Sequence, residues 1–315
     1  MKYNIKTAKW LKAGFLMLTI ASVFYACQPD AVNIGLGTLP KADFNATVNT
    51  DGFSVLLANK SSVASMPYWS VADLNLGFKD LKGDSLKVKF TFPGTHNIKM
   101  LVAGAGGLDS IAKTVTTTLP DPNACDPSTP LGFIASCTQK TWKLNPAPGA
   151  FKVAPTEGSG SWWTSGTQEV IDRPCAFNDT YTFTFNKAGD FAYDDKGDFF
   201  SDDYLNASNN TCLNSSQYNA AQKPWGSGNF NYVIIPGTGV KGLGQLKLIG
   251  LGAHIGIQKA VNGSETKTGA TATSVTYDIW SMEHVTDASG TYDLLTLTLH
   301  YATGDGWWTF TLRSY

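Results

Sequence analysis

Apolar side chains fall at every second position through most of this chain, and the spacing of an amphipathic helix is nearly absent. Between residues 42 and 118, Phe53, Val55 and Leu57 form one such run, Leu86, Val88 and Phe90 a second, and Ile98, Met100 and Val102 a third. Turn sequences such as Lys82-Gly83-Asp84 and Phe92-Pro93-Gly94 separate strand-like runs. Two-residue periodicity broken by glycine and proline predicts short antiparallel strands, and a segment of this length fits a small immunoglobulin-like β-sandwich. Residues 119–130 (LPDPNACDPSTP) carry four prolines. Proline fixes φ and removes an amide donor, so this segment reads as a stiff linker. From 131 to 315 the alternation resumes with Tyr181, Phe183 and Phe185, a turn at Lys187-Ala188-Gly189-Asp190, then Phe191 and Tyr193. Later runs are Leu246/Leu248, Val275/Tyr277/Ile279, Leu295/Leu297/Leu299/Tyr301 and Trp308/Phe310/Leu312, with threonines and other polar residues between. Half-buried antiparallel strands of this kind predict an all-β chain whose second module, 131–315, is a jelly-roll β-sandwich.

The amino terminus follows a different pattern. Lys2, Lys6, Lys9 and Lys12 precede an uncharged apolar run, Ala13 to Phe24, and Ala26 stands just before Cys27. A basic start, a short apolar stretch and a small residue before the cut describe a secretory signal peptide over residues 1–26. The run is too short for the roughly 20 residues a membrane-spanning helix needs. With cysteine directly after the cut, the segment resembles a bacterial lipoprotein signal. That resemblance implies lipid on Cys27, a tether over 27–41, and an outer-membrane, surface-exposed location.

A net charge of −1 with no basic cluster after the signal excludes nucleic acid as a partner, because neutralising phosphates takes concentrated Lys and Arg. Cys125, Cys137, Cys175 and Cys212 are an even set in an exported chain and point to two disulfides. Three connectivities are open, with proximity in sequence favouring Cys125–Cys137 and Cys175–Cys212; no CxxC spacing supports zinc. The four glutamates, Glu157, Glu169, Glu265 and Glu283, are scattered, and none lies in the paired-carboxylate strand a glycosidase would use. Asp194, Asp195 and Asp198, followed by Asp202 and Asp203, form an acidic loop whose oxygens suit calcium, although EF-hand spacing is missing. No other cofactor is required. The histidines lack metal-ligand spacing, no GxSxG elbow occurs, and the glycine-rich stretch 242–256 leads into no helix that could cradle a phosphate.

Tryptophan is what remains. Indole faces stack on the C–H faces of sugar rings, provided that the indoles are not core. Trp308 shares parity with Phe310 and Leu312 and should point inward, whereas Trp307 and Trp280 have the opposite parity to their buried neighbours and should point outward. Trp162 and Trp163 stand in a Gly/Ser loop (EGSGSWWTSG) and Trp225 in another (KPWG), where exposure is common. Trp162, Trp163, Trp225, Trp280 and Trp307 are therefore the candidate glycan-stacking residues.

Two family resemblances bear on this reading. Asn59-Lys60-Ser61, Tyr68-Trp69 and Pro93-Gly94-Thr95-His96-Asn97-Ile98, in that order, make residues 42–118 similar to a polycystic-kidney-disease (PKD) domain. The resemblance implies a spacer or adhesive sandwich with Trp69 in its core. The second module looks like the C-terminal domain of lipoproteins from polysaccharide-utilisation (starch-utilisation-like) systems, and like non-catalytic modules that accompany family 16 glycoside hydrolases. The matching stretches are Lys140 to Leu144, Ser161-Trp162-Trp163, Arg173 to Phe183, Gly250 to Gly256, Asn262 to Glu265 and Trp307 to Phe310. This resemblance implies a non-catalytic surface protein that captures oligo- or polysaccharide, a β-1,3-glucan such as laminarin among them, and hands it to an outer-membrane importer complex. The alternatives are a glycoside hydrolase (β-glucanase) and a structural adhesin that recognises protein.

Overall fold

The computed structural model describes residues 37–74, 76–201, 210–302 and 306–315. Cys27, the expected lipidation site, most of the expected tether, and Asp202 and Asp203 of the acidic loop lie outside the described residues. No helix among the described residues is long and apolar enough to cross a membrane.

The first unit holds β1 (Phe44–Val48), β2 (Ser54–Asn59), β3 (Met66–Val71), β4 (Leu76–Lys82), β5 (Ser85–Lys89), β6 (Gly94–Gly104) and β7 (Gly107–Thr117). They form two facing sheets, β1-β2-β5 and β4-β3-β6-β7. The alternating residues identified in the sequence meet between them: Val55, Leu57, Val88, Phe90, Ile98, Met100 and Val102 are buried. Trp69 is fully buried against Phe44, edge to face at 5.1 Å, and its indole N–H donates to the Gly83 carbonyl at 2.8 Å. The carbonyl gives the one polar atom of the ring a partner, so the whole indole can be buried without an unsatisfied donor. The first unit is a two-sheet β-sandwich with the expected core tryptophan.

The linker turns into a short helix, α1 (Pro130–Ala135), which the two-residue periodicity does not announce. Its start is nonetheless encoded: the Thr129 hydroxyl accepts the Gly132 amide at 3.1 Å, and Pro130 occupies the first turn, where a missing N–H costs nothing. Then follow β8 (Gln139–Leu144), β9 (Phe151–Ala154), β10 (Trp163–Thr164), α2 (Thr167–Asp172), α3 (Pro174–Phe177), β11 (Thr180–Thr184), β12 (Asp190–Asp194), β13 (Asp198–Phe200), β14 (Cys212–Asn214), β15 (Gly228–Ile235), β16 (Gln245–Ile249), β17 (Ala260–Val261), β18 (Ser264–Glu265), β19 (Ser274–Asp287), β20 (Gly290–Ala302) and β21 (Gly306–Ser314). Disulfides join Cys125 to Cys137 and Cys175 to Cys212, the connectivity favoured by proximity.

The all-β class holds, and the second unit has a simpler connectivity than the expected jelly roll. A jelly roll interleaves strands distant in sequence through Greek keys. Here the large sheet runs β21-β20-β19-β16-β15-β12-β11-β8, each strand antiparallel to its neighbour, and β8 pairs again with β21. The meander thus closes on itself. Strands that follow one another along the chain lie side by side in this sheet even where long loops join them, while β8 and β9 share the same edge of β21. The closed sheet is filled rather than hollow: Trp142, Tyr181, Phe183, Tyr277, Leu297 and Phe310 all point inward and are fully buried. Burial of each such side chain contributes about 1.5–3 kcal/mol. Helix α1 covers one end, where the Trp142 indole donates to the Ile134 carbonyl at 2.8 Å. The connection from β16 to β19 enters the other end, and its Ile255 and Gly256 amides donate to the buried hydroxyls of Tyr277 and Tyr181 at 2.9 and 3.1 Å. A side chain at Gly256 would meet the Phe310 ring at 2.3 Å, so only glycine lets this plug seat.

Candidate functional site

The outer face of the closed sheet is where polar and aromatic groups converge. Register alone fixes one row across it. Lys152 on β9 lies opposite Thr309 on β21, Thr309 opposite Thr298 on β20, Thr298 opposite Asp278 on β19, and Asp278 opposite Gln245 on β16. A second row pairs Ala154, Trp307 and His300, with the His300 and Trp307 rings 4.7 Å apart.

Trp280 points outward by its parity, and a β-bulge follows it on β19. The β19–β20 register shifts between Ile279 and Ser281, so the inward series Val275, Tyr277, Ile279 continues at Met282 and leaves both Trp280 and Ser281 outside. The indole is half-buried. The ammonium of Lys241, from the glycine-rich β15–β16 loop, lies 4.1 Å from its ring centroid. On another side the loop 155–162 closes in: a Cβ on Gly158 would sit 2.3 Å from the Trp280 ring, and the φ of +73° at Gly158 also favours glycine.

The same loop delivers Glu157 to the polar row. The Thr298 hydroxyl donates to Glu157 Oε1 at 2.6 Å, and Asp278 lies close enough for its charge to act on Glu157. Asp278 also accepts from the Gln245 side-chain amide. Burial raises the Glu157 carboxyl above its ordinary range, reinforced by the charge of Asp278, while Thr298 and Lys241 act the other way. This pair escapes sequence reading: its members come from a loop and a strand far apart in the chain, and only the outward parity of Asp278 beside Tyr277 offers a hint.

The five candidate tryptophans divide. Trp162 is 56% exposed, just ahead of β10. Trp280 and Trp307 are half-buried on the outer face, as their parity predicts, and Trp308 is buried. Trp163 pairs with Val153 on the inward side of β9 and is packed against the main core, with the Arg173 guanidinium 5.4 Å from its ring. Trp225 corrects the expectation of exposure: it is 2% exposed, in a small separate core with Phe199 and Tyr218. A Pro-Gly-flanked loop there folds over other loops and buries its own anchor, so loop position did not mean solvent contact.

The acidic loop is likewise divided among internal partners. Asp194 pairs with Lys196, and this hydrogen bond and charge lower its carboxyl. Asp195 is buried, which pushes its carboxyl up, but bonds from Ser227 at 2.6 Å, Ser215 at 2.7 Å and the Gly197 amide leave it lowered. Asp198 accepts from the Asn178 amide at 3.2 Å. Asp194, Asp195 and Asp198 are thus each held by neighbouring protein groups, and no group of three or more Asp, Glu, His or Cys suited to a metal gathers among the described residues. A cleft of about 690 Å³ opens between the two units, lined by Leu74, Phe92, Ile234, Leu243 and Met282 with Asn186 and Lys187.

No protein-family model matches the chain. No curated protein matches it. Among solved structures, the PKD1 domain of Vibrio anguillarum Epp is 18% identical with a TM-score of 0.22, the match covering 26% of this chain and 98% of that one. The PKD1 domain from Vibrio cholerae metalloprotease PrtV is 19% identical with a TM-score of 0.21, covering 26% of this chain and 100% of that one.

Proposed function

We propose that this protein is a non-catalytic, lipid-anchored glycan-binding protein of the outer membrane. The PKD-like sandwich holds the closed β-unit away from the lipid on Cys27. The outer face of that unit captures oligo- or polysaccharide, a β-1,3-glucan such as laminarin among the candidates, for transfer to an importer complex. The observation that carries this reading is the accessible indole surface of Trp162, Trp280 and Trp307, set on or beside paired strands and next to carboxyl, amine and hydroxyl groups. Rings fixed by a sheet present apolar area at little entropic cost, and the neighbouring polar groups supply orientation.

The hydrolase alternative needs two carboxyls about 5–5.5 Å apart for retention, or further apart for inversion. The four scattered glutamates offer no such pair on one strand, and release of reducing sugar would be the signature of this alternative. Affinity electrophoresis in gels containing a panel of β-glucans tests the proposal. Wild-type protein is retarded by at least one of them without releasing reducing sugar. Trp162→Ala, Trp280→Ala and Trp307→Ala each weaken retention, by about tenfold where the ring is central, equivalent to about 1.4 kcal/mol. Free migration of the wild type on every glycan, or unchanged retention of all three variants, overturns it.

A further inference from the structure

We infer that Glu157 and Asp278 are the hydroxyl-reading pair of this site and that they restrict its ligand to uncharged, hydroxyl-rich glycan segments. The inference rests on the glycan-binding reading above and goes beyond it in naming the polar contacts and the ligand class. Both carboxyls face outward beside Trp280, so a sugar stacked on that ring brings its equatorial hydroxyls to them. Glu157 Oε1 accepts from Thr298 and Asp278 Oδ1 from Gln245, and each carboxyl oxygen keeps a further lone pair. With lone pairs to spare beside Trp280, the two carboxyls are rich in acceptors and call for donors from the ligand. Sugar hydroxyls provide them; a sulfate or uronate brings more acceptors and a like charge. A second feature of the same face points to a ligand. Thr309, the cross-strand neighbour of Thr298, is 1% exposed, and its hydroxyl has no hydrogen-bond partner. Lys241, from the glycine-rich loop between β15 and β16, supplies a cation over the Trp280 ring.

The experiment compares full-length protein in gels containing laminarin, mixed-linkage β-glucan, alginate (a polyuronate) and a sulfated galactan. The expected result is retardation by a neutral glucan and free migration with both acidic polymers. Glu157→Gln and Asp278→Asn keep shape but replace an acceptor oxygen with a donor. Each is expected to weaken glucan retention at least tenfold while leaving the tryptophan fluorescence spectrum and melting profile native-like. If Asp278→Asn unfolds, Glu157→Gln, whose side chain sits on a surface loop, carries the test. Equal retardation by alginate or sulfated galactan overturns the inference, as does a Glu157→Gln variant retained like wild type. Failure of the two proposals is distinguishable: loss of glucan binding in Trp280→Ala and Trp307→Ala with none in Glu157→Gln removes only the carboxyl pair. No retardation of wild type by any polymer removes both.

Discussion

His254 lies 1% exposed beside the ring of Tyr193, its Nδ1 bonded to the Gly252 carbonyl at 2.8 Å and its Nε2 buried without a partner. Burial pushes its pKa down to about 4, against the smaller opposing pull of Gly252 and Asp195. An unfolded histidine takes up its proton near pH 6.5. Between those two values the unfolded chain binds a proton that the folded one refuses, so stability falls as pH drops through that window, by roughly 3 kcal/mol in all. Asp179 works in the opposite sense. It is buried, with Oδ2 accepting from Tyr193 at 3.0 Å, and burial plus the charges of Asp195, Asp198 and Asp194 raise its carboxyl well above the usual range. Its contribution is present below the unfolded carboxylate pKa and is lost as pH rises. Melting curves between pH 4 and 8 separate the two: His254→Asn flattens the acid loss, and Asp179→Asn raises the midpoint at pH 8 relative to wild type. An unchanged acid slope in His254→Asn contradicts the first, and a lowered midpoint in Asp179→Asn at pH 8 the second. Neither residue declares itself in the sequence, because burial of a lone polar side chain depends on the plug and strands that surround it. Parity, by contrast, told Trp307 from Trp308 and turned Trp280 outward, since alternation is a local property of a strand. It had no purchase on Trp225, which lies in a one-turn helix between loops.

At the scale of elements, the sequence announces strands and turns but not their order around the sheet. Alternation says that Leu295 to Tyr301 has one buried face; it does not say that β21 closes against β8, a pairing of residues from opposite ends of the unit. Short helices such as α1 are too brief to show a 3.6-residue period, although Thr129 and Pro130 mark one. The loop 155–162 is the element on which the site depends. Gly158→Ala forces a Cβ into the Trp280 ring and a left-handed φ onto alanine, at a local cost of about 1–2 kcal/mol. Acrylamide quenching of tryptophan fluorescence then increases and protease cuts the loop sooner; equal quenching and cleavage rates would show that the loop is not held by this contact. The disulfides act on longer segments. Cys175–Cys212 closes a separation of 37 residues and Cys125–Cys137 one of 12, worth about 4 and about 3 kcal/mol in chain entropy. Urea midpoints of the Cys175→Ser/Cys212→Ser and Cys125→Ser/Cys137→Ser double variants are expected to fall in that order, the longer loop losing more.

For the whole molecule, the order of parts along the chain matters as much as each part: a proposed lipid site and tether, a two-sheet β-sandwich, then the closed unit that carries the aromatic face. No helix among the described residues is long and apolar enough to cross a membrane, and the attachment we propose is lipid on Cys27. Lipid gives about 0.8 kcal/mol per buried methylene; one acyl chain holds a protein only marginally, whereas two or three on one cysteine hold it firmly. Cys27→Ala therefore predicts an all-or-none change. Expressed in a Gram-negative host with intact lipoprotein processing, wild type labels with palmitate and partitions into the detergent phase of Triton X-114. The variant does neither, while its glycan retention in affinity gels stays the same, because the binding face and the anchor share no residue. Detergent partitioning of Cys27→Ala equal to wild type would mean that another part of the chain holds the membrane. Loss of glycan retention in the same variant would tie binding to the lipid rather than to the indoles of β19–β21.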